Sequence, residues 1–95
     1  MAEFAHSAHS IGNNVHHIEW CTKYRYEMFG KAEHRNDLRE ILFAVAKRHG
    51  IEITESGIMP DHVHLVVRIP ATMSQSEAVR LLKGASSYGM FRKHP

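Results

Sequence analysis

Cysteine is nearly absent from these 95 residues. The single Cys21 rules out an intramolecular disulfide, and with it the small secreted folds that such bridges hold together. Also missing are an apolar run long enough to cross a bilayer and the charged and apolar regions of a secretion signal. The expectation is a cytoplasmic protein with no membrane association. Charge of one sign is scarce as well. Twelve Lys and Arg against ten Asp and Glu give a formal net charge of +2, which permits nucleic-acid binding without requiring it. What the chain has in excess is histidine, nine in all, and any protonation of these strengthens the basic bias. The length suits one small domain with a single core and leaves no room for a second catalytic domain. No internal repeat is present. The plain composition of Ala5-His6-Ser7-Ala8-His9-Ser10 marks residues 1–14 as an expected flexible leader, with the folded domain over 15–95.

From Val15 to about Tyr26 the chain is rich in β-branched and aromatic residues and free of Gly and Pro, which predicts a strand. Leu38, Ile41, Leu42 and Val45 then recur at helical spacing, with Gly50 as a stop signal. Ile51 to Glu55 alternates as a strand should. A short interruption at Ser56-Gly57 and a turn at Pro60-Asp61 lead into a third strand, so the second and third strands form a hairpin. Ser74-Gln75-Ser76-Glu77 matches a capping box, and Ala78, Leu81, Leu82 and Ala85 supply the stripe of a second helix running from Gln75 to about Tyr88.

The order β, α, β, β, α predicts an α+β fold: a ferredoxin-like split βαβ sandwich, an antiparallel sheet with two helices on one face and the final strand absent. In that topology the first strand sits beside the third, and the unpaired edge left by the missing strand is expected to promote dimerisation or aggregation. Within the third strand, His62 and His64 alternate with Val63, Leu65, Val67 and Ile69. Side chains two apart on a strand leave the same face, so the two imidazoles form a ready pair of metal ligands while the apolar row packs under the helices. If Ile18 and Trp20 of the first strand also face the helices, His17 and Glu19 share the open face with His62 and His64. Lys23, Arg25, Arg68 and Lys83 are candidate phosphate contacts, and Tyr24 and Tyr26 could stack on unpaired bases.

Three blocks together resemble a known family. His17-Ile18-Glu19-Trp20-Cys21-Thr22-Lys23-Tyr24-Arg25, Pro60-Asp61-His62-Val63-His64-Leu65 and Leu82-Lys83-Gly84-Ala85-Ser86-Ser87 stand in the order and spacing of the single-tyrosine transposases of small bacterial insertion sequences, members of the His-hydrophobic-His (HUH) nuclease group. The resemblance implies cleavage and rejoining of single-stranded DNA at hairpins by a homodimer. A helix-borne tyrosine would form a 5′-phosphotyrosine link and free a 3′-hydroxyl, with Mg²⁺ or Mn²⁺ held on the scissile phosphate by His62, His64 and a third polar ligand. That ligand usually comes from the same downstream helix, so the metal site of this chain is expected to be incomplete. Of the basic candidates, Lys23, Arg25 and Lys83 are the expected DNA contacts ahead of Arg68, and His17 and Glu19 are candidate accessory groups. Glu19 departs from the family, which tends to be apolar there. The family's nucleophilic tyrosine lies on a helix after a further strand, which places it downstream of Pro95; Tyr24, Tyr26 and Tyr88 do not occupy its position. The expectation is therefore a shortened transposase domain, inactive alone and with no catalytic residue of its own.

Other readings carry different signatures. Histidine-triad nucleotide hydrolases also alternate histidines on a strand, but their motif needs a third His where this chain has Val66. A non-catalytic DNA-binding or dimerisation module derived from a transposase would retain hairpin DNA without cleaving it. A purely structural ferredoxin-like domain would do neither.

Overall fold

Alternation along two central strands divides the molecule into a packed face and an open one. The computed structural model describes residues 6–21, 32–59 and 62–93. Its elements are β1 (His6–Gly12), β2 (Val15–Cys21), α1 (Ala32–Arg48), β3 (Glu52–Ile58), β4 (His62–Arg68) and α2 (Gln75–Lys93). The strands form one antiparallel sheet in the order β1-β2-β4-β3. Ile18 and Trp20 of β2 are buried with Val63, Leu65 and Val67 of β4, Leu38, Leu42, Val45 and Ala46 of α1, and Ala78, Val79, Leu82 and Met90 of α2. All belong to one apolar cluster, so both helices cover the same sheet face. Each large side chain withdrawn from water there contributes roughly 1.5–3 kcal/mol.

Local chemistry fixes where the helices begin and end. Gly50, at φ 74°, takes the left-handed conformation that ends α1. The Ile51 N–H donates to the Ala46 carbonyl at 2.8 Å and the Gly50 N–H to that of Lys47 at 3.3 Å, the pair of bonds that closes a Schellman motif. At the start of α2 the Glu77 N–H donates to Ser74 Oγ at 3.0 Å, as the capping-box spelling predicts. Gln75 Nε2, in the first turn of α2, lies 2.8 Å from His16 Nδ1 and ties that helix to β2.

The predicted pairings hold: β3 and β4 form the hairpin, and β2 lies beside β4. Several expectations need correction. Residues 6–12, read as part of a leader, form a strand that pairs antiparallel with β2 across a tight turn at Asn13-Asn14, where Asn14 adopts φ 59°. Asn tolerates that conformation better than most residues. The sheet position expected to stand empty beside β2 is thus filled by β1, and the argument for dimerisation through an edge of β2 loses its basis. Ser56-Gly57 is no interruption but lies inside β3. A register shift between Ile53 and Glu55 changes which positions face inward, from Ile51 and Ile53 to Ile58, so strict alternation misplaced the strand's end. Helix α2 runs to Lys93 rather than Tyr88. The predicted extension of the first strand to Tyr26 and the Pro60-Asp61 turn lie outside the described residues. The Met59 N–H, donating to the His62 carbonyl at 2.9 Å, joins the end of β3 to the start of β4.

The extra turn of α2 is held by contact with α1. A Cβ placed on Gly89 would lie 2.8 Å from Ile41 Cδ1 and 3.0 Å from its Cγ2, whereas one on Gly84 would meet nothing within 4 Å. Gly89→Val is therefore expected to destabilise the domain by about 1–3 kcal/mol through overpacking. Gly84→Ala should stabilise it by roughly 0.5–1 kcal/mol through helix propensity. Urea unfolding of both variants checks the pair, and equal shifts of the same sign would contradict this helix packing.

Candidate metal centre

The residues that alternate away from the core meet on the open sheet face. Along β4 these are His62 and His64, both half-buried, with the fully buried Val63 between them and Leu65 after His64. Antiparallel register sets Glu19 of β2 directly opposite His64, and Cys21 opposite His62. His17 stands opposite Val66 on β4 and opposite His9 on β1. Directly paired residues share a face, so four histidines and one carboxylate occupy the same side of three neighbouring strands. His17 and Glu19 therefore do lie beside the histidine pair, as the alternation of β2 predicts.

Their contacts fall into two sets. His62 Nε2 is 3.8 Å from Glu19 Oε2. His17 Nε2 is 2.7 Å from His64 Nδ1, with ring centroids 4.5 Å apart and planes at 62°. On its other side His17 meets the ring of His9 edge to face, at 5.0 Å between centroids. The strand beyond His64 contributes Gly57, and a Cβ there would come within 3.6 Å of His64 Cδ2 and 3.3 Å of Met59 Cε. That missing side chain keeps room beside the imidazole.

By donor type this face suits a divalent ion, since imidazole nitrogens and a carboxylate oxygen project from adjacent positions. In the observed rotamers no three His, Cys, Asp or Glu side chains among the described residues converge into a metal-holding group.

The other sequence candidates are dispersed. Lys23, Arg25, Tyr24 and Tyr26 lie outside the described residues. Lys83 is carried by α2, across the sheet from the histidines. Arg68, at the end of β4, pairs with Glu52 at 3.4 Å, and both are exposed, so the bridge contributes about 0–1 kcal/mol. Tyr88 sits exposed on the helix side with the Arg92 guanidinium 5.7 Å from its ring centre. Among the described residues, then, no tyrosine shares the histidine face. His9 was missed in the sequence because it was assigned to the leader. The signal that could have found it is Gly12-Asn13-Asn14, a turn followed directly by a strand.

Among the described residues, no helix is long and apolar enough to cross a membrane. A family profile described as IS200-like transposase matches residues 10–95. The ISDra2 transposase TnpA of Deinococcus radiodurans is 36% identical over 80 residues, covering 84% of this chain and 56% of that protein. The transposase for insertion sequence element IS200 of Salmonella typhimurium is 33% identical over 86 residues, covering 90% of this chain and 56% of the relative. A crystal structure of a candidate transposase from Deinococcus radiodurans superimposes with a TM-score of 0.76 at 29% identity, covering all of this chain and 65% of the other. The chain thus spans little more than half the length of the curated relatives it matches.

Proposed function

Because the chain belongs to the IS200-like transposase family, we propose that it is the metal-binding and DNA-contacting part of a transposase that cleaves and rejoins single-stranded DNA at hairpins. The observation that carries this reading is the common face of His62, His64 and Glu19. His62 and His64 hold Mg²⁺ or Mn²⁺, and Glu19, 3.8 Å from His62, is a carboxylate on the same face that can add to the set. When bound, the ion draws charge from the phosphoryl oxygens and the leaving oxygen. The strand itself orients the two imidazoles, because Val63 and Leu65, fixed in the core, leave their neighbours one outward direction. Lys23, Arg25 and Lys83 contact backbone phosphates of the DNA. The protein acts in the cytoplasm, as a dimer.

Cleavage by this chemistry also needs a nucleophile that attacks phosphorus as the 3′-oxygen departs. Tyr88 lies on the far side of the sheet, an observation that favours the second reading, a module that binds hairpin DNA without cutting it. We expect the 95-residue chain alone to retain a labelled single-stranded hairpin in a native gel and to form no covalent protein–DNA adduct with Mn²⁺ in a denaturing one. A full-length relative on the same DNA is the positive control. An adduct would mean that Tyr24, Tyr26 or Tyr88 serves as nucleophile, and failure to retain the hairpin would contradict both readings.

A further inference from the structure

His17 and His64 come from different strands, yet His17 Nε2 lies 2.7 Å from His64 Nδ1. At that separation one nitrogen carries the proton and the other the lone pair. A neutral imidazole has a single N–H, so the contact couples the tautomers of the two rings. If His17 Nε2–H donated, His64 would hold its own proton on Nε2 and have no lone pair there for a metal. If His64 Nδ1–H donates to His17 Nε2, His64 keeps a lone pair on Nε2 and His17 carries its proton on Nδ1.

We propose that His17 is a positioning residue for His64: it accepts the Nδ1–H, fixes the ring's orientation and tautomer, and so presents Nε2 as the metal-binding nitrogen. This rests on reading His62 and His64 as a metal pair. Partners of this kind around a ligating histidine usually matter as much as the ligand's own geometry. The register supports it, because His17 sits diagonal to His64 across β2 and β4, close enough for its ring to reach over. The ring is also gripped from the other side. His9 of β1 packs edge to face against it with planes at 68°, so the N-terminal strand braces the brace. His9 lies just outside the span matched by the family profile.

Two substitutions isolate the acceptor from the ring. His17→Phe keeps a flat ring against His9 and cannot accept a hydrogen bond, while His17→Gln restores an acceptor oxygen. Mn²⁺ affinity, followed by electron paramagnetic resonance, is expected to fall on the order of 10–100-fold in His17→Phe and to recover largely in His17→Gln. Independently of any metal, ¹⁵N chemical shifts should give the Nδ1–H tautomer for His64 in the wild type and in His17→Gln. His17→Phe should gain the Nε2–H form. An unchanged tautomer in folded His17→Phe overturns the proposal. A tautomer shift in a protein that binds no Mn²⁺ keeps the positioning role and removes the metal reading. Loss of one coordinated nitrogen from bound Mn²⁺ on His17→Phe would make His17 a ligand and also overturn it. If His17→Phe fails to fold, His17→Gln against His17→Leu gives the same contrast.

Discussion

Replacing His62 and His64 together with alanine is expected to abolish Mn²⁺ binding while leaving the thermal unfolding midpoint close to that of the wild type. Both side chains leave the sheet on the face away from the helices, and neither belongs to the apolar cluster. The backbone of β4 keeps its ladders to β2 and β3 whatever the outward side chains are. Removing a partner of a metal ligand already costs about 10–100-fold in affinity, so removing two ligands should exceed that range. Calorimetric titration with Mn²⁺ reads the first effect and far-ultraviolet circular dichroism the second. A variant that still binds Mn²⁺ like the wild type would place the metal elsewhere. One that unfolds would show that the open face carries stability as well.

Leu65→Ala should do the reverse. Leu65 lies between the core positions Val63 and Val67, and it is fully buried. Truncation removes its contacts with the helix layer and leaves a cavity, a loss of about 2–5 kcal/mol. A domain of this size has roughly 5–15 kcal/mol in all. The unfolding midpoint should drop by about 4–8 °C for each kcal/mol lost. Where the variant is still folded, at low temperature, Mn²⁺ affinity should remain near that of the wild type, because the imidazoles project from the opposite side. Urea unfolding and a cold Mn²⁺ titration separate the two quantities. A stability change below about 1 kcal/mol would contradict the burial, since such a value belongs to surface substitutions.

These opposite outcomes from neighbouring residues restate what made the site legible in the sequence. A period of two is a strong signal where one face is wholly apolar, as on β4, and it identified both the core row and the histidine pair. It served equally for β2, where Ile18 and Trp20 point inward. Strand β1 was opaque for the converse reason. Ser, Ala and His have little intrinsic preference for extended structure, and of the side chains described there only Ala8 packs against the core. Its conformation comes from pairing with β2, which a local reading does not contain. The last turn of α2, from Gly89 to Lys93, was missed similarly: Gly89 is a weak helix former, and the turn persists because Met90 is buried and Gly89 admits Ile41. The contact between His17 and His64 depends on the register between strands far apart in sequence, so only the folded arrangement reveals it.

The most direct test of a metal centre on this face is paramagnetic broadening. Substoichiometric Mn²⁺ added to the ¹⁵N-labelled chain should first bleach the amides around His62, His64 and Glu19, while those of α1 and α2 across the sheet remain sharp. Broadening centred on the helices, or spread evenly over exposed acidic residues, would contradict a metal centre at the histidine pair.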